Sequence, residues 1–220
     1  MRVTYEDVKR SEEIRTYITQ ADASLIALGY TEHSFAHVTR CAEVAGDLLA
    51  ELGYDEHQIE LCKIAAYMHD IGNVVNRHDH NVSGATMAFR ILDNMGMEPE
   101  DVAAVITAIG HHDDATAFPV NAIAAALILA DKTDVRRSRV RNRETINFDI
   151  HDRVNYAVER SEVSLDRDSK TFTLSLSINT EVCAVMDYFE IFLQRMLLCR
   201  KAAGFFGLTF KLDINGLTLL

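Results

Sequence analysis

Several short segments of this 220-residue chain place histidine or aspartate where an apolar helix would bury it. His69-Asp70 closes the run Ile64-Ala-Ala-Tyr-Met and leads directly into Ile71-Gly72. Burying an imidazole and a carboxylate together costs several kcal/mol, roughly, unless both find partners. A divalent cation satisfies both at once, because neutral imidazole and carboxylate are its natural ligands. A hydrogen-bonded structural pair would also serve at this one place. The same situation recurs, however. His37 lies between Phe35 and Val38, His111-His112 follow Ile109-Gly110, and Asp131 follows Ala124-Ala-Ala-Leu-Ile-Leu-Ala. Separate apolar helices that each carry His or Asp at a terminus or on a face point to one convergent metal site. The His-Asp dipeptide itself carries little weight. It also occurs at His78, His112 and His151, all in polar stretches where a solvated loop explains it.

The elements that must position these residues read as helices over residues 1–160. Thr4 caps a first helix with Tyr5, Val8, Ile14 and Ile18 at helical spacing, and a short second one carries Leu25, Ile26 and Leu28 up to Gly29. Thr31 opens a longer helix through Phe35, Val38, Val44 and Leu48 to Gly53, and Asp55 caps the next, which runs to Gly72. After a polar loop over 76–81, helices follow from about Ala85 to Met95 and from Pro99, at a first-turn position, to Gly110. Residues 121–137 form another, so apolar over Ala122–Ala130 that it belongs in the centre of a bundle. Near residue 161 the texture changes to alternation, Val163-Ser-Leu-Asp and Lys170-Thr-Phe-Thr-Leu-Ser-Leu-Ser-Ile, the pattern of a hairpin. A long helix from Glu181 to about Ala203 and strand segments at Phe206–Leu212 and Gly216–Leu220 complete the chain. The fold class is therefore mainly α: a helical domain over 1–160 and a small α/β appendage over 161–220.

Composition bounds the rest. Hydrophobic residues make up 48% and charged residues 25% of the chain, ordinary globular values that exclude a largely disordered protein. The net charge of −11 argues against a duplex-DNA binder, whose affinity comes from neutralising phosphates. No segment reads as a membrane span, and the N-terminus lacks the apolar core of a signal peptide. Four widely spaced cysteines without C-x-x-C spacing read as reduced, mostly buried side chains. A cytoplasmic protein is expected.

His37, His69-Asp70 and Asp131, in that order and on helices, resemble the ligand signature of the HD superfamily of metal-dependent phosphohydrolases, and His69-Asp-Ile-Gly matches the sharper form of its central motif. The resemblance covers roughly residues 25–140. It implies an all-helical core with a metal ion held by His37, His69, Asp70 and Asp131. His80-Asn-Val-Ser-Gly84 resembles the His-x-x-x-Gly segment of binuclear members, and His111-His112 resembles their His-His pair. The analogy makes Asp70 a bridge between two ions, with His80, His111 and His112 around the second. His33 stands where some trinuclear relatives carry glutamate and otherwise reads as a surface histidine. Two departures matter: Asn73 stands where many relatives have a lysine that helps hold the scissile phosphate, and the Gly-Tyr-Pro pattern of the cyclic-di-GMP-degrading branch is missing.

Immediately after Asp131 comes Lys132-Thr-Asp-Val-Arg-Arg-Ser-Arg-Val-Arg-Asn-Arg143, six basic side chains in an acidic protein. Such a run is either a solvated face or a mouth of the site in which Lys132, Arg136 and a neighbouring arginine hold phosphate oxygens. The resulting expectation is hydrolysis of a small phosphate compound of nucleotide type. One or two divalent ions (Fe, Mn, Ni, Co, Zn or Mg) would activate water, Asp70 would serve at the reacting centre, and Lys132 and Arg136 would orient the anion. Two other readings use the same ligands: a di-iron oxygenase, and a non-enzymatic metal-binding regulatory dimer. The helix after Glu181, with Val182, Val185, Met186, Phe189, Phe192, Leu193 and Met196, has a face wide enough to cover the bundle or to make a homodimer.

Overall fold

A computed structural model describes residues 3–113, 116–141 and 150–219 of the chain, which form two compact units, Met1–Asp131 and Lys132–Leu220. In the first, Thr4 and Asp7 cap helix α1 (Tyr5–Arg10) reciprocally, each side chain bonding the other's backbone amide. The chain does not continue as one helix from there. Ser11 takes an extended conformation, and its hydroxyl accepts from the Ile14 amide to start α2 (Glu12–Ala27). The apolar residues at Leu25 and Ile26 end this helix rather than forming a separate one, and Gly29 leaves it at φ 81°. Helix α3 (Phe35–Glu51) begins at Ser34 and not at Thr31, since the Ser34 hydroxyl meets the Ala36 amide. Asp55 caps α4 (Glu56–Met68) as its sequence suggests, accepting from the Gln58 amide.

Helix α4 gives way at His69-Asp70 to a single 3-10 turn, Ile71–Val74. Helix α5 (His80–Asn94) starts five residues before the apolar periodicity begins, with Asp79 in the left-handed region just ahead of it. Pro99 opens α6 (Pro99–Gly110), and α7 (Ala122–Lys132) follows. Within this unit α3 packs on α4, α4 and α5 on α6, and both α2 and α5 on the 3-10 turn. Every residue of α7 from Ile123 to Ala130 is buried, as its unbroken apolar run requires. Ile14, Leu25, Leu49, Ile64, Tyr67 and Met68 are among the fully buried side chains, each worth roughly 1.5–3 kcal/mol relative to exposure.

The second unit contains α8 (Ile150–Ala157), β1 (Val158–Asp166), β2 (Thr171–Ile178), α9 (Val185–Phe205), β3 (Thr209–Ile214) and β4 (Leu217–Thr218). The sheet order is β1-β2-β3-β4. The hairpin read from alternation is β1 and β2, antiparallel, while β2 and β3 run parallel with α9 as the connection that parallel strands need. Phe172, Leu174 and Leu176 of β2 lie beside Phe210, Leu212 and Ile214 of β3, all buried. The buried stripe of α9 runs through Tyr188, Phe192, Met196 and Cys199; Met186 and Leu193 of the expected face are exposed. The boundary expected near residue 161 falls inside β1. The residues before it are tied into this unit, because Arg137 donates to the Tyr156 carbonyl and pairs with Glu159, and Arg139 donates to the Asp134 carbonyl. Arg143, the last basic residue of the run, lies outside the described residues. The four cysteines are buried free thiols. Among the described residues no helix is long and apolar enough to cross a membrane.

Candidate metal centre

Three buried histidines are fixed by one local device. The Nδ1 of His69 bonds the Ala66 carbonyl (2.7 Å), that of His80 the Arg77 carbonyl (3.1 Å) and that of His112 the Ile109 carbonyl (2.6 Å). Each partner lies three residues earlier, at a helix terminus where carbonyls or amides lack helical partners. A carbonyl only accepts, so each Nδ1 carries the hydrogen and each neutral ring keeps its lone pair on Nε2. This is the outer bond that orients a ligating imidazole.

The three Nε2 atoms converge with His37, from the first turn of α3, on two carboxylates. Asp70 Oδ2 lies 3.2 Å from His69 Nε2 and 3.6 Å from His37 Nε2. Asp131 Oδ1, at the end of α7, lies 3.4 Å from His37 Nε2 and 3.8 Å from His69 Nε2. Ligand atoms at about 2.1 Å from one ion stand about 3.0–3.4 Å from each other, close to this spacing. On the other side, Asp70 Oδ1 lies 3.5 Å from His80 Nε2, which is 3.2 Å from His112 Nε2. The Asp70 carboxylate thus offers one oxygen to each group. The rings also meet edge to face in series, His37 to His69, His69 to His112 and His112 to His80, with centroids 4.9–5.2 Å apart.

The electrostatics fit an ion. His69 Nε2 and Asp70 Oδ2 are buried, stand 3.2 Å apart and find no well-formed hydrogen bond, so both atoms have capacity left for an ion. Burial by itself would raise the Asp70 carboxyl, but the charge and polarity of His69, together with His33 and His80, hold it well below the usual carboxylate range. When His80 and His112 are neutral, two lone pairs face each other at 3.2 Å, an arrangement that calls for a shared cation or proton. The donor set of imidazoles and carboxylates therefore suits one or two divalent ions of the borderline class.

Two glycines bring the two sides together. A Cβ on Gly72 would stand 2.0 Å from the His80 carbonyl oxygen and 2.5 Å from the Gly84 amide nitrogen. Gly84 in turn lies against the Gly72 amide and the His69 carbonyl. The start of α5 can thus lie on the turn after His69-Asp70 only where residue 72 lacks a side chain, and a Cβ at residue 84 would crowd the same contact at 3.3 Å. The His69-Asp-Ile-Gly and His-x-x-x-Gly patterns are two halves of one backbone contact.

Of the residues singled out in the sequence, His37, His69, Asp70, His80, His112 and Asp131 come together. His111 is part-exposed and caps α6 through its backbone amide, and no described contact ties its ring to the cluster. His33 is half-buried, with its Nδ1 on the Thr31 carbonyl and its ring edge on His37. Lys132 and Arg136 belong to the second unit, where Lys132 is buried and Arg136 binds Asp134 (2.7 Å) and Ser138 (2.7 Å). Two neighbours were not picked out as site residues. Cys41, one turn after His37 and on the same face, forms with His37, His69 and Asp131 a group whose ligand atoms lie within 4.8 Å of one another. Its four-residue spacing from His37 was the available signal. Asn73 is buried and holds Asp70, donating from Nδ2 to both its carbonyl and its Oδ1 (2.9 Å each).

The chain is similar to known proteins. The family model of the HD domain matches residues 34–190. An uncharacterized protein of Methanocaldococcus jannaschii, MJ1020, is 25% identical over 203 residues, which cover 82% of this chain and 78% of that protein. Ribonuclease Y of Cutibacterium acnes is 32% identical over 124 residues, 53% of this chain and 22% of the relative. Ribonuclease Y of Thermobifida fusca is 33% identical over 138 residues, 57% and 26% respectively. The chain thus spans about a quarter of the ribonucleases it matches.

Proposed function

We propose that this chain, which belongs to the HD domain family, hydrolyses a phosphoester of a small nucleotide-type compound with one or two divalent ions held between its helices. The observation that carries the reading is the Asp70 carboxylate, buried and turned with one oxygen toward His37 and His69 and the other toward His80. Bound ions supply Lewis acidity toward phosphoryl oxygens and make water a nucleophile at neutral pH.

The protein's own groups do the rest. His37, His69 and Asp131 would hold one ion, His80 and His112 would hold a second, and Asp70 would be available to both. The three Nδ1–H···O=C bonds keep the lone pairs aimed inward, so little reorganisation accompanies binding. Asn73 fixes the rotation of the Asp70 carboxylate. No serine or cysteine nucleophile is required. A phosphoester of nucleotide type is also the substrate class in keeping with relatives named as ribonucleases.

The test begins with elemental analysis of purified protein, followed by assay of nucleotides, cyclic nucleotides and a generic phosphodiester after reconstitution with Mn, Fe, Co, Ni, Zn or Mg. The reading expects one or two ions per chain and metal-dependent release of phosphate or of a nucleotide. A stoichiometry near zero under all reconstitutions, or full phosphoesterase activity in a chelated sample, would overturn it.

A further inference from the structure

Among the buried and half-buried cations of the first unit, Arg77 stands apart. It lies between the 3-10 turn and α5, in a stretch that reads as a plain polar loop. Its Nη1 donates to Asn73 Oδ1 (3.2 Å) and approaches His80 Nε2 to 3.4 Å, the ring atom that faces Asp70 and His112. The guanidinium also sits over the ring of Tyr30, 5.5 Å from its centroid. Arg77 is half-buried, and Tyr30 beside it is exposed, so the cation lies at the rim of the centre with one side open to solvent.

The bonding of that guanidinium is incomplete. It has five N–H donors, and only Nη1 is engaged; among the described residues Nε and Nη2 have no acceptor. No carboxylate pairs with it either. A half-buried arginine is normally held by a carboxylate, as Arg136 is by Asp134. Arg77 is held instead by the neutral amide of Asn73, whose other end is bonded to Asp70, and by a ring face. Its position is thereby coupled to the bridging carboxylate while its charge is left uncompensated. Once the His80 lone pair is used on an ion, the Nη1 hydrogen that approaches it is released as well, while Nη1 stays bonded to Asn73, and it joins the Nε and Nη2 donors beside the centre.

We infer that Arg77 is the phosphate-holding cation of this site: its guanidinium, braced by Asn73 and Tyr30, takes the non-bridging oxygens of the phosphoryl group on the His80 side. The inference rests on the proposed phosphoester reading and names the residue that fixes the anion. Planar, paired donors suit two phosphate oxygens better than a point charge does.

The experiment uses the full chain loaded with metal and inorganic phosphate as the probe, with binding read by calorimetry and metal content by elemental analysis. Arg77→Met keeps the stem and removes the charge and donors; Arg77→Lys keeps the charge and loses the fork. Arg77→Met is expected to keep its metal and its melting temperature, and to bind phosphate at least tenfold more weakly, with Arg77→Lys between it and the parent. With a generic phosphodiester, the loss should fall on KM more than on kcat. Phosphate affinity within twofold of the parent in metal-replete Arg77→Met overturns the inference and leaves the phosphoester reading standing. Loss of metal in both variants also overturns it, since Arg77 would then be a brace for His80. Absence of phosphate binding by the metal-loaded parent overturns both.

Discussion

The two ends of α4 hold histidine and aspartate in opposite ways. In its first turn, His57 Nε2 meets Asp101 of α6 at 2.7 Å, an ordinary hydrogen-bonded pair with the imidazole side chain 37% exposed. At its last turn, His69 and Asp70 are buried, and their facing atoms stand 3.2 Å apart without a hydrogen bond. The first pair is closed by a direct hydrogen bond between its members. The second is spaced for something between its members, with His37, Asp131 and His80 at comparable distances around it. The same two residue types thus form a hydrogen-bonded pair at one end of the helix and part of a cluster that could hold a metal ion at the other.

Substitutions at the two ends sharpen that contrast. Asp70→Asn removes the charge that both histidine groups share, and metal content measured by elemental analysis should fall to near zero, with activity lost. Asp101→Asn should leave metal content at the parental value. Equal metal content in the two variants would break the comparison.

Gly72→Ala comes next in size. Its Cβ would overlap the His80 carbonyl and the Gly84 amide, both backbone, so α5 must shift. Destabilisation of about 3 kcal/mol is expected from chemical denaturation, together with weaker binding of a second ion than of the first. Retention of both ions at parental affinity would show that the close glycine contact does not set the position of His80.

Metal loading should then act on one end of the helix alone. Free ion at about 100 times its Kd stabilises the fold by about 2.7 kcal/mol, visible as a rise in Tm that a chelator reverses. The same rise should occur in Asp101→Asn and be absent from Asp70→Asn. Smallest of all is the direct cost of breaking the outer pair. Asp101→Asn should lower stability by no more than about 1 kcal/mol, because the pair is partly exposed and screened.

Much of this was legible in the sequence. The apolar runs before His69, His112 and Asp131 marked where polar groups would be largely buried, and the HD pattern tied them together in the right order. Helix ends were less legible. Ser11 and Ser34 act as caps inside or ahead of stretches whose apolar spacing gives no warning of a break. The beginning of α5 at His80 was hidden because its first turn is polar by necessity: it faces the centre and not the core. Met186 and Leu193 belong to the wide apolar face expected to cover the bundle or to make a homodimer; both are exposed, and packing on β3 buries the stripe through Tyr188, Phe192, Met196 and Cys199. The last strands were expected at Phe206–Leu212 and Gly216–Leu220, whereas β3 runs on to Ile214 and the chain turns at Asn215-Gly216, both at positive φ.

His111 and Arg77 define the limit most sharply. His111 and His112 are adjacent and chemically equal in the sequence, yet only His112 closes onto the Ile109 carbonyl and turns its Nε2 to His80. Arg77 read as part of a solvated loop until the turn after Asp70 folded it back against Asn73.

By itself, the sequence determined the kinds of candidate ligand, their order along the chain and the helical frame, because burial cost and periodicity are local properties that leave a mark in composition. Only the tertiary structure decided which nitrogen of each ring points inward, which member of the His-His pair joins, and which arginine stands at the rim. Those choices depend on distances between segments far apart in the chain, where a few tenths of an ångström separate a hydrogen bond from a cradle for an ion.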